Sequence, residues 1–295
     1  MRVAIVGASG LVGSHCLHQW RQLPDWVVVG TFRSYPVDGT YYYDPLTPDH
    51  PDNYDLRAFD PEWIVHCGAL THVDQCEKDP EESYRQTVGS TQQLVELAKA
   101  CDARIAYISS DYVFNGEMGP YEENDLSYPL SVYGRHKLAA ERLVLDQVPH
   151  SLVVRITNVY GEETRGKNFI ERLIQQFATE QLVQLRLPID QYATPVYATD
   201  VATGLQWLMH DEQKGVWHLA STDYVSRVHL AQKVAAFYPE KKVWLEGIPT
   251  SALSQVAPRP LRGGLLNLKF QREYPHMRWT TVDGYMRRRL GPKPD

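Results

Sequence analysis

The stretch Arg2-Val-Ala-Ile-Val-Gly-Ala-Ser-Gly-Leu-Val-Gly13 decides the fold of this chain. An apolar run ends at Gly7, and residues 12–22 then show the apolar spacing of a helix, so three glycines stand at a strand–helix junction. Glycine allows a tight turn and a close backbone approach to a phosphate, and the helix N-terminus offers free N–H groups to an anion. The pattern therefore predicts a pyrophosphate site for a dinucleotide, formed by Gly7, Gly10, Leu11, Val12 and Gly13.

The end of the second predicted strand, residues 26–31, determines which dinucleotide is expected. In folds of this type that bind NAD, an acidic residue at this place binds the ribose 2′-hydroxyl. This chain reads Thr31-Phe-Arg-Ser34 instead, without a carboxylate. Arg33 can pair with a 2′-phosphate and stack on the adenine, so the sequence favours NADPH, with Arg33 and Ser34 as cofactor-binding residues. The alternative is NADH, with Arg33 as an exposed cation at a strand end.

Short apolar runs alternate with helical segments through the first half of the chain. Further strands are expected at residues 40–43, 63–67, 105–109 and 152–156, and helices at residues 81–100 and 133–145. These runs are continuous and rich in valine and isoleucine, which indicates strands buried on both faces. The predicted fold is therefore α/β, with a doubly wound parallel sheet of the Rossmann type.

Beyond about residue 160 the pattern becomes less regular. Helices are expected at residues 168–177 and 201–209, and a strand at 216–220. We predict a dinucleotide-binding domain at residues 1–160. Residues 161–295 are expected to form mainly a smaller substrate-binding lobe that partly returns to the sheet.

Composition excludes several classes of function. A net charge of −6 supplies no broad cationic surface for nucleic acid, and no apolar run is long enough to cross a bilayer. Glycines interrupt the apolar N-terminus, unlike a secretion signal. The four cysteines lack paired spacing, which fits a reducing compartment, so we expect a cytoplasmic protein without nucleic-acid or membrane partners. No metal is expected, because the spacings of His66, Cys67, His72 and Cys76 match no usual zinc site.

A tyrosine and a lysine lie one helical turn apart in the segment Tyr133-Gly-Arg-His-Lys137. A nearby ammonium favours the phenolate, so Lys137 is expected to lower the pKa of Tyr133 and make its proton transferable. Lys137 can also hold ribose hydroxyls of the nicotinamide. Upstream, the predicted strand at residues 105–109 is followed by Ser110, whose hydroxyl can donate to a substrate carbonyl beside Tyr133. A cap or turn role is the alternative for Ser110.

The runs Ser109-Ser-Asp-Tyr-Val-Phe-Asn-Gly116 and Pro129-Leu-Ser-Val-Tyr-Gly-Arg-His-Lys137 resemble the extended short-chain dehydrogenase/reductases, and more narrowly the dTDP-4-dehydrorhamnose reductase branch. That branch also includes the regulatory subunit of methionine adenosyltransferase. The resemblance covers nearly the whole chain and continues through Thr71-His-Val-Asp-Gln-Cys-Glu77 and Val154-Arg-Ile-Thr-Asn-Val-Tyr-Gly161.

This resemblance implies roles for further residues. It implies Ser110, Tyr133 and Lys137 as the catalytic set. For the cofactor it implies Asp44 near the adenine, and Cys67, Gly68 and Ala69 along the dinucleotide. Near the substrate it suggests Asp111, Tyr112, Asn168 and Arg259. The chain departs from the branch at Ser110, Thr87 and Asn158, where threonine, asparagine and tryptophan are usual, and at residues 262–264.

The resemblance implies an NADPH-dependent reductase that acts on a nucleotide-linked 4-keto-6-deoxy sugar in sugar-nucleotide biosynthesis. Two alternatives stay open. One is a nucleotide-sugar epimerase or dehydratase with tightly bound NAD. The other is an NADP-binding regulatory subunit with little turnover. The sequence leaves the base, the sugar, the stereochemistry and a homodimeric state open.

Overall fold

A computed structural model describes residues 1–163 and 165–291. Its centre is a sheet of seven parallel strands. In spatial order the strands are β3 (Thr40–Tyr42), β2 (Val27–Phe32), β1 (Arg2–Val6), β4 (Trp63–His66), β5 (Arg104–Ser110), β6 (Leu152–Ile156) and β9 (Gly215–His218). The order reverses between β1 and β4, which leaves a crevice outside the carboxyl ends of these strands. The predicted doubly wound Rossmann-type sheet is confirmed.

Helices cover both faces of the sheet. The first-lobe helices are α1 (Leu11–Trp20), α2 (Leu56–Phe59), α3 (Val73–Lys78), α4 (Pro80–Tyr84), α5 (Ser90–Ala100) and α6 (Val132–Gln147), and a π-helical turn (Arg85–Gly89) joins α4 to α5. α1 and α8 (Ala198–His210) pack on one face, whereas α5 and α6 pack on the other. Successive strand residues enter opposite cores, as Val3 and Ala4 do in β1. This burial on both faces explains the continuous apolar runs.

The second lobe has a core of its own, built mainly on three helices and two strands. Its elements are α7 (Phe169–Thr179), β7 (Leu182–Pro188), β8 (Tyr192–Ala193), β10 (Val225–Ser226), α9 (Arg227–Ala235), β11 (Lys242–Ile248) and α11 (Val282–Leu290). α10 (Leu268–Glu273) precedes α11 in sequence but packs on the main sheet beside β9, where Phe270 joins the first-lobe core. β7 pairs in parallel with β11, and β8 pairs antiparallel with β10. β9 lies between these elements in sequence but pairs with β6 of the main sheet. The division into domains at residue 160 stays a prediction.

Most predicted elements occur within one or two residues of their expected bounds. Three differences matter. The helix expected at residues 81–100 is interrupted by the π-helical turn, β9 ends at His218, and the second lobe contains β7, β11 and α9, which were not expected from the sequence. In the described ranges 1–163 and 165–291, every helix is too short or too polar to cross a membrane.

Candidate active site

A cavity of about 770 Å³ lies along the carboxyl ends of β1, β4, β5 and β6. Its volume is typical of small-molecule sites, and its position at the reversal of strand order is where open α/β sheets bind ligands. Most residues predicted for the site line it: Gly7, Gly10, Leu11, Val12, Gly13, Arg33, Ser34, Cys67, Gly68, Ala69, Ser110, Asp111, Tyr112, Tyr133, Lys137 and Asn168. Asp44 and Arg259 lie outside this lining.

The glycine turn forms one end of the cavity. Gly7 has a φ of +88°, and a Cβ there would lie 3.0 Å from the Gly68 nitrogen. A Cβ on Gly13 would lie 2.6 Å from the Gly7 oxygen, so α1 could not pack as closely on its strand. Gly10 caps α1 without a side-chain hydrogen bond, and the first turn of α1 carries no acidic residue. Its backbone N–H groups are therefore suited to a pyrophosphate.

The end of β2 forms the wall where a 2′-phosphate is expected. Arg33 is exposed and donates from Nη2 to the Gln86 Oε1 at 3.1 Å. From the other side, the Arg165 guanidinium lies 5.1 Å from the centre of the Tyr35 ring. Two cations thus approach this end of the cavity. Asp44 is not part of the wall, because its carboxylate accepts from the Leu46 N–H and shapes the turn after β3.

The hydroxyls of Ser110 and Tyr133 are brought together by close packing of α6. Ser131 caps α6 by accepting from the Gly134 N–H at 3.2 Å. A Cβ on Gly134 would lie only 2.2 Å from the Tyr112 oxygen, so glycine is what lets α6 approach the turn after β5. Tyr133 hydrogen-bonds Ser110, and its ring meets that of Tyr112 edge-on at 5.5 Å. Two hydroxyls therefore converge on one point of the cavity.

Charges around these hydroxyls differ from the expectation. Burial raises the pKa of Tyr133, and the hydrogen bond between Tyr133 and Ser110 is the strongest opposing influence. Lys137 instead donates to the Ile108 carbonyl at 2.5 Å and lies 4.1 Å from the centre of the Tyr107 ring. Burial lowers the pKa of Lys137 to about 7, although the Glu141 carboxylate opposes this. Lys137 is not among the main influences on the pKa of Tyr133, and its ammonium is directed at β5. The hypothesis that Lys137 lowers the pKa of Tyr133 stays a prediction.

Two buried polar atoms in the cavity wall lack partners in the described part of the chain. They are the His66 Nδ1 and the Ser109 Oγ. Burial lowers the pKa of His66 to about 3, so its ring is neutral, and its Nε2 lies 3.1 Å from the Thr91 Oγ1. Buried polar atoms normally have partners, so this wall, which continues into Cys67, Gly68 and Ala69, fits a polar ligand such as a nicotinamide nucleotide.

The four residues suggested for the substrate have different surroundings. Tyr112 faces the cavity beside Tyr133. Asp111 is buried and accepts from the Thr157 hydroxyl at 2.7 Å and the Gly264 N–H at 3.1 Å. Asn168 caps α7, and its amide also donates to the Gly161 carbonyl.

Arg259 pairs with Asp74 at 2.8 Å, outside the cavity lining. Of the four residues, Tyr112 is therefore the one whose side chain remains available to a ligand, because the polar groups of the other three have partners within the protein.

Sequence reasoning missed Arg227, which also lines the cavity. It is the first residue of α9 and donates to the Asn158 Oδ1 at 2.6 Å. Asn158 has a φ of +43°, a left-handed conformation that is costly outside glycine and that concentrates at functional sites. The sequence gave no indication that Arg227 belongs to the site, because Arg227 lies in a helix that was not predicted and its contacts come from distant segments of the chain.

The fold and the cavity together define the class: an NAD(P)-dependent oxidoreductase of the short-chain dehydrogenase/reductase type. Comparison with known proteins gives the family. A family model described as RmlD substrate binding domain matches residues 1–282. The chain belongs to this family, in the dTDP-4-dehydrorhamnose reductase branch of the extended short-chain dehydrogenase/reductases, as its motifs predicted.

Individual relatives point in two directions. The chain is 30% identical to dTDP-4-dehydrorhamnose reductase of Aggregatibacter actinomycetemcomitans, over 74% of this chain and 77% of that protein. It is 29% identical to methionine adenosyltransferase 2 subunit beta of Pongo abelii, over 89% of this chain and 77% of that one. A crystal structure of dTDP-4-dehydrorhamnose reductase from Bacillus anthracis in complex with NADP superposes with a TM-score of 0.82, at 24% identity and 97% coverage of both chains.

Proposed function

We propose that this protein uses NADPH to reduce the keto group of a nucleotide-linked 4-keto-6-deoxy sugar. The observation that carries the proposal is the convergence of the Ser110 and Tyr133 hydroxyls at the edge of the sheet that bears the glycine turn. NADPH, when bound, supplies the hydride. The role of the chain is to hold the carbonyl and to provide a proton. We propose the cytosol as the compartment, because all four cysteines are free thiols.

Tyr133 is suited to donate that proton. Because burial raises its pKa, the phenol keeps its proton at neutral pH, as a general acid must. The Ser110 hydroxyl lies beside that of Tyr133 and donates to the Asp111 carboxylate at 3.2 Å. If it rotates towards a bound carbonyl, both hydroxyls can donate to the carbonyl oxygen, where negative charge develops during reduction. We assign Lys137, whose ammonium lies beneath this site, to the ribose of the nicotinamide. The glycine turn binds the pyrophosphate, and Arg33 binds the 2′-phosphate.

The test follows NADPH oxidation with a panel of nucleotide 4-keto-6-deoxy sugars. The wild type should turn over at least one of them, and Tyr133→Phe should lower kcat about 10²- to 10⁴-fold, the usual worth of positioned proton transfer. NADPH affinity should be kept. Tyr128→Phe is the matched control, because this tyrosine is 65% exposed. Equal turnover by the wild type and Tyr133→Phe would rule out the assigned role.

A second candidate is an NADP-binding regulatory subunit, which the similarity to methionine adenosyltransferase 2 subunit beta favours. This candidate predicts that NADPH binds but that no keto sugar in the panel is reduced. It also predicts that Tyr133→Phe changes neither result. The same assay therefore separates the two candidates, provided that NADPH binding is measured directly by calorimetry.

A further inference from the structure

The two-stranded sheet of β7 and β11 buries one face and exposes the other. α9 packs on the buried face, where Val183 and Leu245 join the core of the second lobe. The opposite face carries Trp244 and Leu182, which are 65% and 53% exposed. Large apolar side chains that share an exposed sheet face indicate a surface for another protein chain.

β11 also has an open edge. In the part of the chain that the structure describes, β7 is the one strand that pairs with it. The Lys242 N–H donates to the Gln181 carbonyl at 3.0 Å, so Lys242 and every second residue after it direct their backbone groups towards β7. The backbone groups of Val243 and Leu245 therefore lie at the outer edge. Such an edge is a template for pairing with a further strand.

The exposed face of β11 is complementary to itself in the antiparallel direction. Along this face Lys242 and Glu246 flank Trp244, with opposite charges. If a second copy of β11 pairs antiparallel about Trp244, Lys242 of each copy lies opposite Glu246 of the other. Opposite charges placed across a strand pair are stabilising, whereas like charges are destabilising. Within its own chain, Glu246 uses Oε2 for the Arg186 Nε at 3.2 Å, which leaves Oε1 for the second copy.

The backbone fits the same arrangement. Trp244 directs its backbone groups to β7, so two copies of Trp244 would form a non-hydrogen-bonded pair, the type in which opposing side chains come closest. Val243 would lie opposite Leu245 of the second copy, and both residues have their backbone groups at the open edge. Their side chains are only partly buried at the margin of the second-lobe core. Pairing would complete their burial.

The outer edge of β7 lacks this complementarity. Its exposed residues are Leu182, Gln184 and Arg186. An antiparallel pair about Gln184 would place leucine opposite arginine in both halves of the contact. The charges of the strand pair therefore select β11 as the edge that a second copy can extend.

We propose that two copies of this chain dimerise through β11, antiparallel about Trp244, and form one sheet of four strands. The contact is isologous, so each residue pair occurs twice and the assembly closes at two copies. β11 lies outside the lining of the main cavity, so both cavities stay open. A contact through one strand of seven residues is small, so the dimer is weak and depends on concentration.

Analytical ultracentrifugation of the full chain over micromolar concentrations measures the dissociation constant of the dimer. The wild type should dimerise. Trp244→Glu places two carboxylates at the centre of the contact and should raise the constant about thirtyfold or more, as loss of a central aromatic anchor does. Leu126→Glu is the matched control, because Leu126 is 86% exposed and lies in the first half of the chain.

Two charge variants test the register. Lys242→Glu alone and Glu246→Lys alone each place like charges opposite each other, so each should raise the dissociation constant about tenfold. In an equimolar mixture of the two variants, both cross-strand pairs of the mixed dimer join opposite charges. The mixture should therefore dimerise as the wild type does. Circular dichroism verifies that the variants fold.

Three results would overturn the proposal. The first is a wild type that stays monomeric at every concentration. The second is a dimer on which Trp244→Glu has no more effect than Leu126→Glu, because the contact would then lie on another face. The third is a dimer that Trp244→Glu removes but that the mixture of charge variants does not restore, because Trp244 would then belong to a contact without this register.

Discussion

The Lys137 side chain is deeply buried and ionisable. Its protonation therefore contributes to the pH dependence of the free energy of unfolding, through which it can be measured. Its side chain lies among β5 and α6, with the ammonium on the Ile108 carbonyl. Burial lowers the pKa of Lys137 from 10.5 to about 7. Between these values the unfolded chain binds a proton that the folded chain does not, so the free energy of unfolding rises with pH across this window. Below about pH 7 both states are protonated and this contribution is constant.

Lys137→Met should remove this dependence. We expect the free energy of unfolding of the wild type, relative to Lys137→Met, to increase as the pH is raised from about 7 towards 10. Urea denaturation at several pH values measures it. Lys78→Met is the control, because Lys78 is exposed. Parallel pH profiles of the wild type and Lys137→Met would contradict the lowered pKa. Lys137→Met should also weaken NADPH binding, because the ammonium is assigned to the ribose.

Arg33 gives a second prediction that concerns a single residue. It is exposed at the end of β2, in a cavity wall without a carboxylate for a ribose hydroxyl. Arg33→Ala should therefore weaken NADPH about tenfold or more and leave NADH nearly unchanged. Calorimetry with both dinucleotides measures this, and Arg21→Ala, at the end of α1, is a control outside the cavity. Equal losses for NADPH and NADH would show that Arg33 does not recognise the 2′-phosphate.

At the scale of single residues, the sequence identified groups that carry a local signature. Tyr133 and Lys137 share one helical face at a recognisable spacing, and Gly7 stands at a strand–helix junction. His66 and Arg227 have no such signature. Their surroundings form only when the chain folds, which brings Thr91 to His66 and Asn158 to Arg227.

The contact between α6 and the turn after β5 shows how whole elements position the site. Gly134 allows it, because a Cβ there would overlap the Tyr112 carbonyl. In Gly134→Ala, α6 must move away from this turn and carry Tyr133 away from Ser110. We expect kcat to fall at least tenfold and the free energy of unfolding to decrease by about 1–3 kcal/mol, as overpacking usually costs.

Steady-state kinetics and urea denaturation check this prediction. Arg142→Ala, on the exposed face of the same helix, should change neither quantity appreciably. If Gly134→Ala lost stability but kept its kcat, the close approach of α6 would serve packing alone.

Elements whose pairing is local in sequence could be predicted, and others could not. Except for the short, partly exposed β3, the main-sheet strands of the first half are largely buried apolar runs, so periodicity identifies them. β7 alternates exposed and buried residues and pairs with β11, far away in sequence. Likewise, the π-helical turn within the helix at residues 81–100 leaves no periodic signal, because it is one widened turn in a continuous helix.

On the scale of the whole molecule, charged contacts also join the two lobes. The pair formed by Asp74 on α3 and Arg259 in the second half of the chain is one, with Arg259 Nη2 2.8 Å from Asp74 Oδ1. The Ala257 N–H donates to the same carboxylate at 3.0 Å. The sequence suggested Arg259 as a direct substrate ligand, but it could not reveal that Asp74 pairs with it, because the two residues are 185 positions apart in the chain.

We therefore expect the Asp74–Arg259 pair to act on the substrate by holding the lobes together. Arg259→Ala and Asp74→Ala should then raise KM for the keto sugar by similar factors, about threefold to tenfold, and leave NADPH affinity unchanged. The double variant should be no worse than either single variant, because residues that act through one contact are not additive.

If Arg259 instead binds the substrate directly, Arg259→Ala should raise KM about ten- to a hundredfold, whereas Asp74→Ala should leave KM unchanged or lower it by freeing the guanidinium. Steady-state kinetics of the three variants decide between the two roles, with unfolding measured in parallel. A bridging pair also predicts that each single variant loses about 1 kcal/mol of stability, which a side chain that only contacts substrate would not provide.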